Sequence, residues 1–176
     1  MTKHSEKGVG VPTIYFINAT SPAKNHALQL FESDLQQSNV HVGCVAESWF
    51  NDKISTNYTD INGFPCLGAT ARSVKVAVFV FYVRNNFQSY KFCASEEFEI
   101  FWVKVCCQDN CYFIASCYPP PPPKPRYLVT DFVGQLCSTI ESIIDCETNP
   151  IFLITGDFNS LATDFLEEEF GLSQLV

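Results

Sequence analysis

Two polar side chains of catalytic type follow an abrupt stop in an apolar run near the end of the chain. Residues 151–155 favour β-structure, and the run stops at Gly156, directly before Asp157 and Asn159. This pattern predicts a buried strand, and α/β proteins bind ligands at the carboxyl ends of strands. In an extended segment, Asp157 and Asn159 point the same way while Phe158 turns into the core. A carboxylate beside a carboxamide suits phosphoryl chemistry, although Gly-Asp-x-Asn taken alone more often forms an Asx-type turn.

Three other predicted strands also end at a polar residue. Asn18 follows the run 13–17, Glu47 follows the run 40–46, and Tyr118 closes the run that begins at residue 111. Strand ends on one rim of a layered α/β domain converge, so these side chains can share one pocket with Asp157. Each also has a plainer interpretation, because a strand-end Asn often forms a turn, Tyr118 can simply pack, and Glu47 can be a solvated charge.

The elements that position these residues alternate along the chain. Residues 1–11 are predicted to be a disordered leader, and residues 12–176 to be one domain. Ser21-Pro22 predicts a helix start, and apolar residues at helical spacing continue to about residue 37. The strongest strand signal covers 74–83. A short hairpin turn at 108–110 is predicted to join strands 98–107 and 111–118. Residues 128–144 are predicted to form the longest amphipathic helix. The acidic segment 164–169 shows no clear helix or strand pattern.

Composition limits the classes of function. The 176 residues are 47% hydrophobic and only 17% charged, with 16 Phe, so either the core is large or part of the apolar surface meets a partner. There is no apolar stretch of membrane-spanning length and no N-terminal signal segment, which predicts an intracellular protein of nucleus or cytoplasm that is neither secreted nor membrane-bound. A net charge of −8 argues against duplex binding by the fold as a whole, but not against a local metal-dependent phosphate site.

Cysteine and proline content invite two further interpretations. Without an export signal, the nine cysteines are predicted to be reduced and to act as small buried hydrophobes. A zinc site at Cys106, Cys107 and Cys111 is disfavoured by its spacing and by the lack of a nearby histidine in the sequence. The five prolines at 119–123 predict a stiff polyproline II loop between elements, with an SH3-type ligand as the alternative.

Taken in order, these motifs resemble the endonuclease/exonuclease/phosphatase superfamily, in particular the endonuclease domain of non-LTR (LINE-type) retrotransposons. The resemblance covers residues 13–176. It rests on Asn18, Glu47-Ser-Trp-Phe, Arg72 ahead of the long strand, Glu99-Ile-Phe-Trp, Tyr118-Pro-Pro, Gly156-Asp-Phe-Asn and the closing Gly171-Leu-Ser-Gln-Leu-Val.

The resemblance implies a four-layer α/β/β/α sandwich with two mainly antiparallel sheets, incomplete at the C-terminus. It also implies a Mg²⁺-dependent phosphodiesterase site, with Mn²⁺ as the alternative ion and DNA as the substrate. Glu47 is the implied principal metal ligand, Arg72 a phosphate ligand, and Asp157 the residue that orients or activates water. The remaining implied site residues are Asn18 and Asn159, which help hold the metal shell or the phosphate, and Tyr118, whose hydroxyl donates to a phosphate oxygen.

The chain departs from the family pattern at several places. It lacks the glycine cluster before the long strand, it has Pro119 where an arginine is usual, and it stops before a further aspartate and a Ser-Asp-His motif. Its histidines, His4, His26 and His41, lie in the first quarter of the sequence. We therefore expect a truncated domain with weak or absent activity, because loss of a general acid-base costs about 10²–10⁴-fold. The alternatives are a non-catalytic module that binds a protein through the proline loop or an exposed sheet, and a phosphatase acting on a small phosphoester. The sequence leaves the oligomeric state open.

Overall fold

The computed structural model describes residues 11–18, 26–46, 61–69, 79–95, 97–119, 128–159 and 161–174, and these form eight strands and three helices. In chain order the elements are β1 (Ile14–Asn18), α1 (Ala27–Gln37), β2 (Val42–Ala46), β3 (Cys66–Ala69), β4 (Phe79–Val83), β5 (Gln88–Ser95), β6 (Ile100–Cys107), β7 (Asn110–Cys117), α2 (Val129–Cys146), β8 (Ile151–Gly156) and α3 (Asp164–Phe170). No helix of this described part is long and apolar enough to cross a membrane.

The strands form two four-stranded sheets. The first has the order β1-β2-β4-β3, in which only β1 and β2 of the described strands run parallel. The second has the order β5-β6-β7-β8, in which β7 and β8 are the parallel pair. Each sheet is therefore mainly antiparallel and carries one parallel strand at an edge, β1 in one sheet and β8 in the other.

Three apolar layers hold the elements together. The central layer lies between the sheets, where alternate residues of β2 and β4, such as Cys44 and Phe81, meet those of β6 and β7, such as Val103 and Ile114. Phe31 and Leu35 of α1 cover the outer face of the first sheet. On the outer face of the second sheet, α2 and α3 pack over Trp102 and Phe113. The predicted four-layer α/β/β/α sandwich is confirmed.

The predicted strands appear as β1, β2, β6, β7 and β8, within two residues at each end, and α2 matches the predicted long helix. The prediction that residues 151–155 form a buried strand is wrong, because β8 is an edge strand that is partly exposed along its length. Of the predicted strand 74–83, the structure describes β4, and residues 70–78 lie outside the described ranges. The predicted helix start at Ser21-Pro22 and most of the predicted leader 1–11 also lie outside them.

Three elements were not predicted: β3, β5 and α3. β5 is an outer strand with a mostly exposed surface and a register irregularity between Lys91 and Cys93, so it lacks the apolar run of a buried strand. α3 buries Leu166 and exposes its carboxylates, and its short apolar face was hidden by the acidic composition.

Gly156 permits the close approach of β7 and β8 where both strands end. It pairs with Cys117, has φ +150°, and a Cβ placed there would overlap the backbone carbonyl of Cys117. Only a residue without a side chain fits this position. Gly156 therefore fixes the strand end from which Asp157 projects.

We expect Gly156→Ala to lower the free energy of unfolding by at least about 2 kcal/mol, because the new methyl group meets backbone that cannot move cheaply. Gly134→Ala is the matched control: it lies inside α2 with open space around its Cβ position, and we expect it to gain about 0.5–1 kcal/mol. Urea unfolding of both variants checks the pair. A neutral Gly156→Ala would show that the strands can separate at this point.

Candidate active site

The site is built where the edge strands of the two sheets come together. β1 ends at Asn18 and β8 ends at Gly156, and the two strands are in contact. Asn18 donates a hydrogen bond from Nδ2 to Oδ2 of Asp157 at 3.2 Å, although the two residues are 139 positions apart. The fold thus brings two of the predicted site residues into direct contact.

The segment after β8 is a turn, which differs from the extended geometry expected from sequence. The backbone N–H of Asn159 donates to Oδ1 of Asp157 at 3.0 Å, and Asn159 has a left-handed φ of 50°. This is the Asx-type turn that was the plainer interpretation of the motif. Phe158 packs into the layer under α2 and α3, as expected. The local turn and the contact with Asn18 coexist, and together they use both oxygens of the Asp157 carboxylate.

Asn159 fixes the end of β7 through its amide group. Nδ2 donates to the carbonyl of Pro119 at 2.8 Å and lies 3.4 Å from the carbonyl of Asp157. Tyr118, the residue before Pro119, donates its backbone N–H to the carbonyl of Glu99 at 3.1 Å, and its side chain packs beside the central layer. The amide that was expected to meet a phosphate is therefore directed at backbone carbonyls, and it holds Tyr118-Pro119 beside the turn.

Neutral polar groups lie near the end of β8, before Asp157. Thr155 donates from Oγ1 to the carbonyl of Ala115 at 3.0 Å and lies 3.9 Å from Sγ of Cys44. Burial raises the pKa of the Cys44 thiol to about 12, against the opposing effect of hydrogen bonds to Ser116 and Thr155. Burial also raises the pKa of Cys117. Both thiols are uncharged at neutral pH, so they do not compete with Asp157 for a cation.

Two predicted site residues, Glu47 and Arg72, lie outside the described residues. Ala46, the residue before Glu47, is described and pairs with Asn18 in the register of β1 and β2. Among the described residues no group of three or more His, Cys, Asp or Glu side chains could hold a metal ion. The described polar side chains at the strand ends offer oxygen donors, the Asp157 carboxylate and the Asn18 carboxamide, and this donor chemistry fits a hard divalent cation.

Sequence reasoning did not assign roles to two residues that shape this site. Glu99 is only 8% exposed, has a left-handed φ of 51°, and accepts the backbone hydrogen bond of Tyr118. Pro119 contributes a carbonyl rather than a side chain. The Tyr-Pro dipeptide after a strand was the available signal for Pro119. Glu99 was noted only as part of the Glu99-Ile-Phe-Trp motif, and its role as a backbone acceptor has no sequence signal.

No protein-family model matches the sequence, and no curated protein matches it at a significant level. Solved structures do match. TDP2 from C. elegans aligns with a TM-score of 0.65 and 10% identity over 87% of this chain and 49% of that one. The endonuclease domain of TRAS1, a telomere-specific non-LTR retrotransposon, aligns with a TM-score of 0.59 and 12% identity over 85% of this chain and 60% of that one. The AP endonuclease LMAP from Leishmania major gives 0.59 and 12% over 82% of this chain and 54% of that one.

At these identities the similarity concerns the fold. The chain spans about half to three fifths of the length of these three solved structures. The resemblance that the order of motifs predicted is confirmed at this level, because these neighbours all belong to the endonuclease/exonuclease/phosphatase superfamily.

We expect Asn159→Asp to lower the free energy of unfolding by about 1–3 kcal/mol, because a carboxylate at this position faces the Pro119 carbonyl with no hydrogen to donate. Aspartate tolerates the left-handed φ, so the backbone is not the cause of the loss. Asn149→Asp is the control, since Asn149 is exposed and has a similar φ of 52°, and we expect a change within about 0.5 kcal/mol. Equal stability of both variants in urea unfolding would contradict the role of the Asn159 amide.

Proposed function

We propose that this chain, which has the fold of the endonuclease/exonuclease/phosphatase superfamily, hydrolyses phosphodiesters in DNA as a Mg²⁺-dependent endonuclease-type domain of low activity. Mn²⁺ is the alternative ion. The observation that carries the proposal is the hydrogen bond between Asn18 and Asp157, which joins polar ends of the two sheets at one rim. The neighbours include two proteins whose names describe endonucleases, and these names support the reaction class.

Asp157 is the residue that we assign to the attacking water. Its carboxylate is held on one side by the backbone of Asn159 and on the other by the amide of Asn18. These contacts fix the plane of the carboxylate, so its remaining lone pairs accept a hydrogen bond from a water in a defined direction. A positioned carboxylate of this kind contributes by orienting the nucleophile as well as by accepting its proton.

The other residues bind and orient the phosphate. Asn18 holds the phosphate or a ligand of the metal, Tyr118 donates its hydroxyl to a phosphate oxygen, and Arg72 pairs with the phosphate charge. Glu47, which follows Ala46 at the end of β2, would hold the metal together with the oxygen donors at the strand ends. When bound, Mg²⁺ would neutralise the negative charge that builds on the scissile phosphate. Asn159 acts on Tyr118-Pro119 through the backbone.

Low activity follows from the position of the histidines. His41 accepts a hydrogen bond from the Thr13 backbone, which lies at the opposite end of β1 from Asn18. His26 precedes α1, and His4 lies outside the described residues. Among the described residues, the hydrogen bonds to the Asp157 side chain come from Asn18 and Asn159 and not from a histidine. We therefore expect a rate about 10²–10⁴-fold below that of an enzyme with a histidine as general acid or base.

Asp157→Asn tests the proposed role directly. We expect Mg²⁺-dependent nicking of supercoiled plasmid by the full chain, and a loss of at least about 100-fold in Asp157→Asn, because the carboxamide cannot accept the proton of the water. Glu47→Ala should abolish the response to Mg²⁺. Asp131→Asn, at the exposed first turn of α2, is the matched control and should retain full activity.

The same preparations should be compared on p-nitrophenyl phosphate and on plasmid, with EDTA as the metal-free control. Faster turnover of the monoester by the wild type would favour the phosphatase alternative. Equal residual activity of wild type, Asp157→Asn and Glu47→Ala on both substrates would overturn the enzymatic proposal.

A second candidate function, a non-catalytic interaction module, is favoured by a cleft beside the site. The cleft has a volume of about 590 Å³ and lies between β1 and β8; its lining includes Ile14 and Phe16 and residues 152–156. Within the described residues, both strands are the outer strands of their sheets at this side. An extended peptide can add to such edges through main-chain hydrogen bonds and place apolar side chains in the cleft. The proline loop that was the other predicted contact lies largely outside the described residues.

Charge indicates the kind of segment that fits this cleft. Leu166 of α3 lines it, and α3 exposes Glu167, Glu168 and Glu169. Two copies of this chain would bring two acidic helices together, and each chain carries a net charge of −8. We therefore assign the cleft to an extended apolar segment of another protein that is flanked by lysine or arginine.

A fluorescein-labelled peptide of alternating valine and threonine with two lysines at each end tests this assignment by fluorescence anisotropy. We expect saturable binding that is weakened at least about tenfold by the double variant Glu167→Lys, Glu168→Lys, since attraction becomes repulsion. The control Asp131→Lys, Glu141→Lys makes the same change of charge on α2 and should bind as the wild type does. Equal loss in both variants would indicate attraction by net charge alone, and binding of a proline-interrupted peptide would exclude strand addition.

A further inference from the structure

Two thiols face each other across the hairpin formed by β6 and β7. Cys106 and Cys111 are direct partners in the register of the two strands, and their Sγ atoms are 2.7 Å apart. This separation is only roughly 0.7 Å longer than an S–S bond of about 2.04 Å. Both residues are free cysteines and are partly exposed, so a small reagent can reach them.

The backbone of the hairpin already has the geometry that a cross-strand disulfide needs. Gln108 and Asp109 form a two-residue turn, so Cys107 and Asn110 are the pair next to it. In an antiparallel hairpin of this kind the pair beside the turn is hydrogen-bonded and the next pair is not. Cα atoms of a non-hydrogen-bonded pair are about 4.5 Å apart, which lies within the range of about 4.4–6.8 Å for disulfides. Bond formation between Cys106 and Cys111 therefore requires no strand movement.

The surroundings of the two thiols separate them from the other cysteines. Cys111 packs on the outer face of the second sheet, towards α2, whereas Cys107 points into the central layer. On that outer face Lys104 forms an ion pair with Glu147, at 2.7 Å, directly after α2. Burial and the neighbouring Cys111 raise the pKa of Cys106 to about 11, and the charge of Lys104 opposes this. Cys106 is thus mostly protonated at neutral pH, and its Sγ lies 2.7 Å from the second thiol.

We propose that Cys106 and Cys111 form a reversible dithiol–disulfide modification site that reacts with low-molecular-weight organic disulfides of the glutathione class. One thiolate attacks the organic disulfide, forms a mixed disulfide and releases one organic thiolate. The second cysteine thiolate attacks the sulfur of the first cysteine, which forms the Cys106–Cys111 bond and releases the second organic thiolate. The two cysteine protons pass through solvent to the released thiolates, and the two electrons go to the organic disulfide.

This modification is independent of the proposed hydrolysis. Cys106 and Cys111 lie at the turn end of the β6–β7 hairpin, and Tyr118-Pro119 follows the other end of β7. Oxidation and hydrolysis can therefore be tested separately, and failure of one leaves the other intact.

The experiment exposes the full chain to glutathione disulfide, quenches it with acid, and measures intact mass and thiol content under denaturing conditions. We expect a loss of two hydrogen atoms and two fewer free thiols than the nine of the reduced chain, reversed by dithiothreitol. Cleavage by trypsin, followed by a protease that cuts before Asp109, places Cys106 and Cys107 on one peptide and Cys111 on another. The two peptides should remain joined until reduction. At pH values below the pKa of Cys106, the rate of disulfide formation should rise with each pH unit, because the thiolate is the nucleophile.

Serine variants identify the partners. Cys106→Ser and Cys111→Ser should each abolish the joined peptides, whereas Cys107→Ser and Cys146→Ser should retain them. Joined peptides in Cys106→Ser would overturn the proposal in favour of Cys107. A wild-type product that carries only glutathione adducts, with no loss of two hydrogens, would overturn it outright, and peptide mapping of the wild type gives this answer even if a variant does not fold.

Discussion

The apolar layer between the two sheets decides where the polar strand ends of this protein lie. Cys44, Phe81, Val103 and Ile114 meet in this layer with essentially no exposure, and their burial presses one sheet against the other. Because β1 and β8 lie at the same side of the sandwich, the ends of these strands become neighbours. The contact between Asn18 and Asp157 follows from that packing, and no local sequence rule could produce it.

Sequence reasoning identified the strands that carry an apolar run, including the partly exposed edge strands β1 and β8, and it missed elements without a long one. β6 and β7 are buried along most of their length, so they were read correctly as apolar runs. β5 and α3 expose most of their surface, and their composition does not separate them from loops. At the site, the sequence predicted that Asn18, Tyr118, Asp157 and Asn159 lie near strand ends. The sequence offered the Asx turn as the plainer interpretation of Gly-Asp-x-Asn. It could not predict the bond from Asn159 to Pro119, because this bond needs a backbone carbonyl that folding brings close.

In the described part of the candidate site, Asp157 has the proposed chemical role and Asn159 has a positioning role. The thiol of Cys44 and the hydroxyl of Thr155, two residues before Asp157, are uncharged, so neither adds a charge to the site. Asn159 connects the turn after β8 to the segment after β7, and this connection places Tyr118 relative to Asp157. The chemistry proposed for Asp157 therefore depends on Asn159, which acts through the backbone. Within the Asp-x-Asn motif, Asp157 is the proposed reactive group and Asn159 is the supporting group.

The two outer strands of the second sheet differ in a way that limits self-association. β5 has an irregular register at Lys91, and a charged, bulged strand is a poor template for another chain, whereas β8 keeps a regular ladder up to Gly156. Among the described strands, two copies joined through β8 would form one larger sheet with a β5 strand at each outer edge. Growth of that sheet would stop at two copies, so the difference between its two edges limits open-ended strand addition.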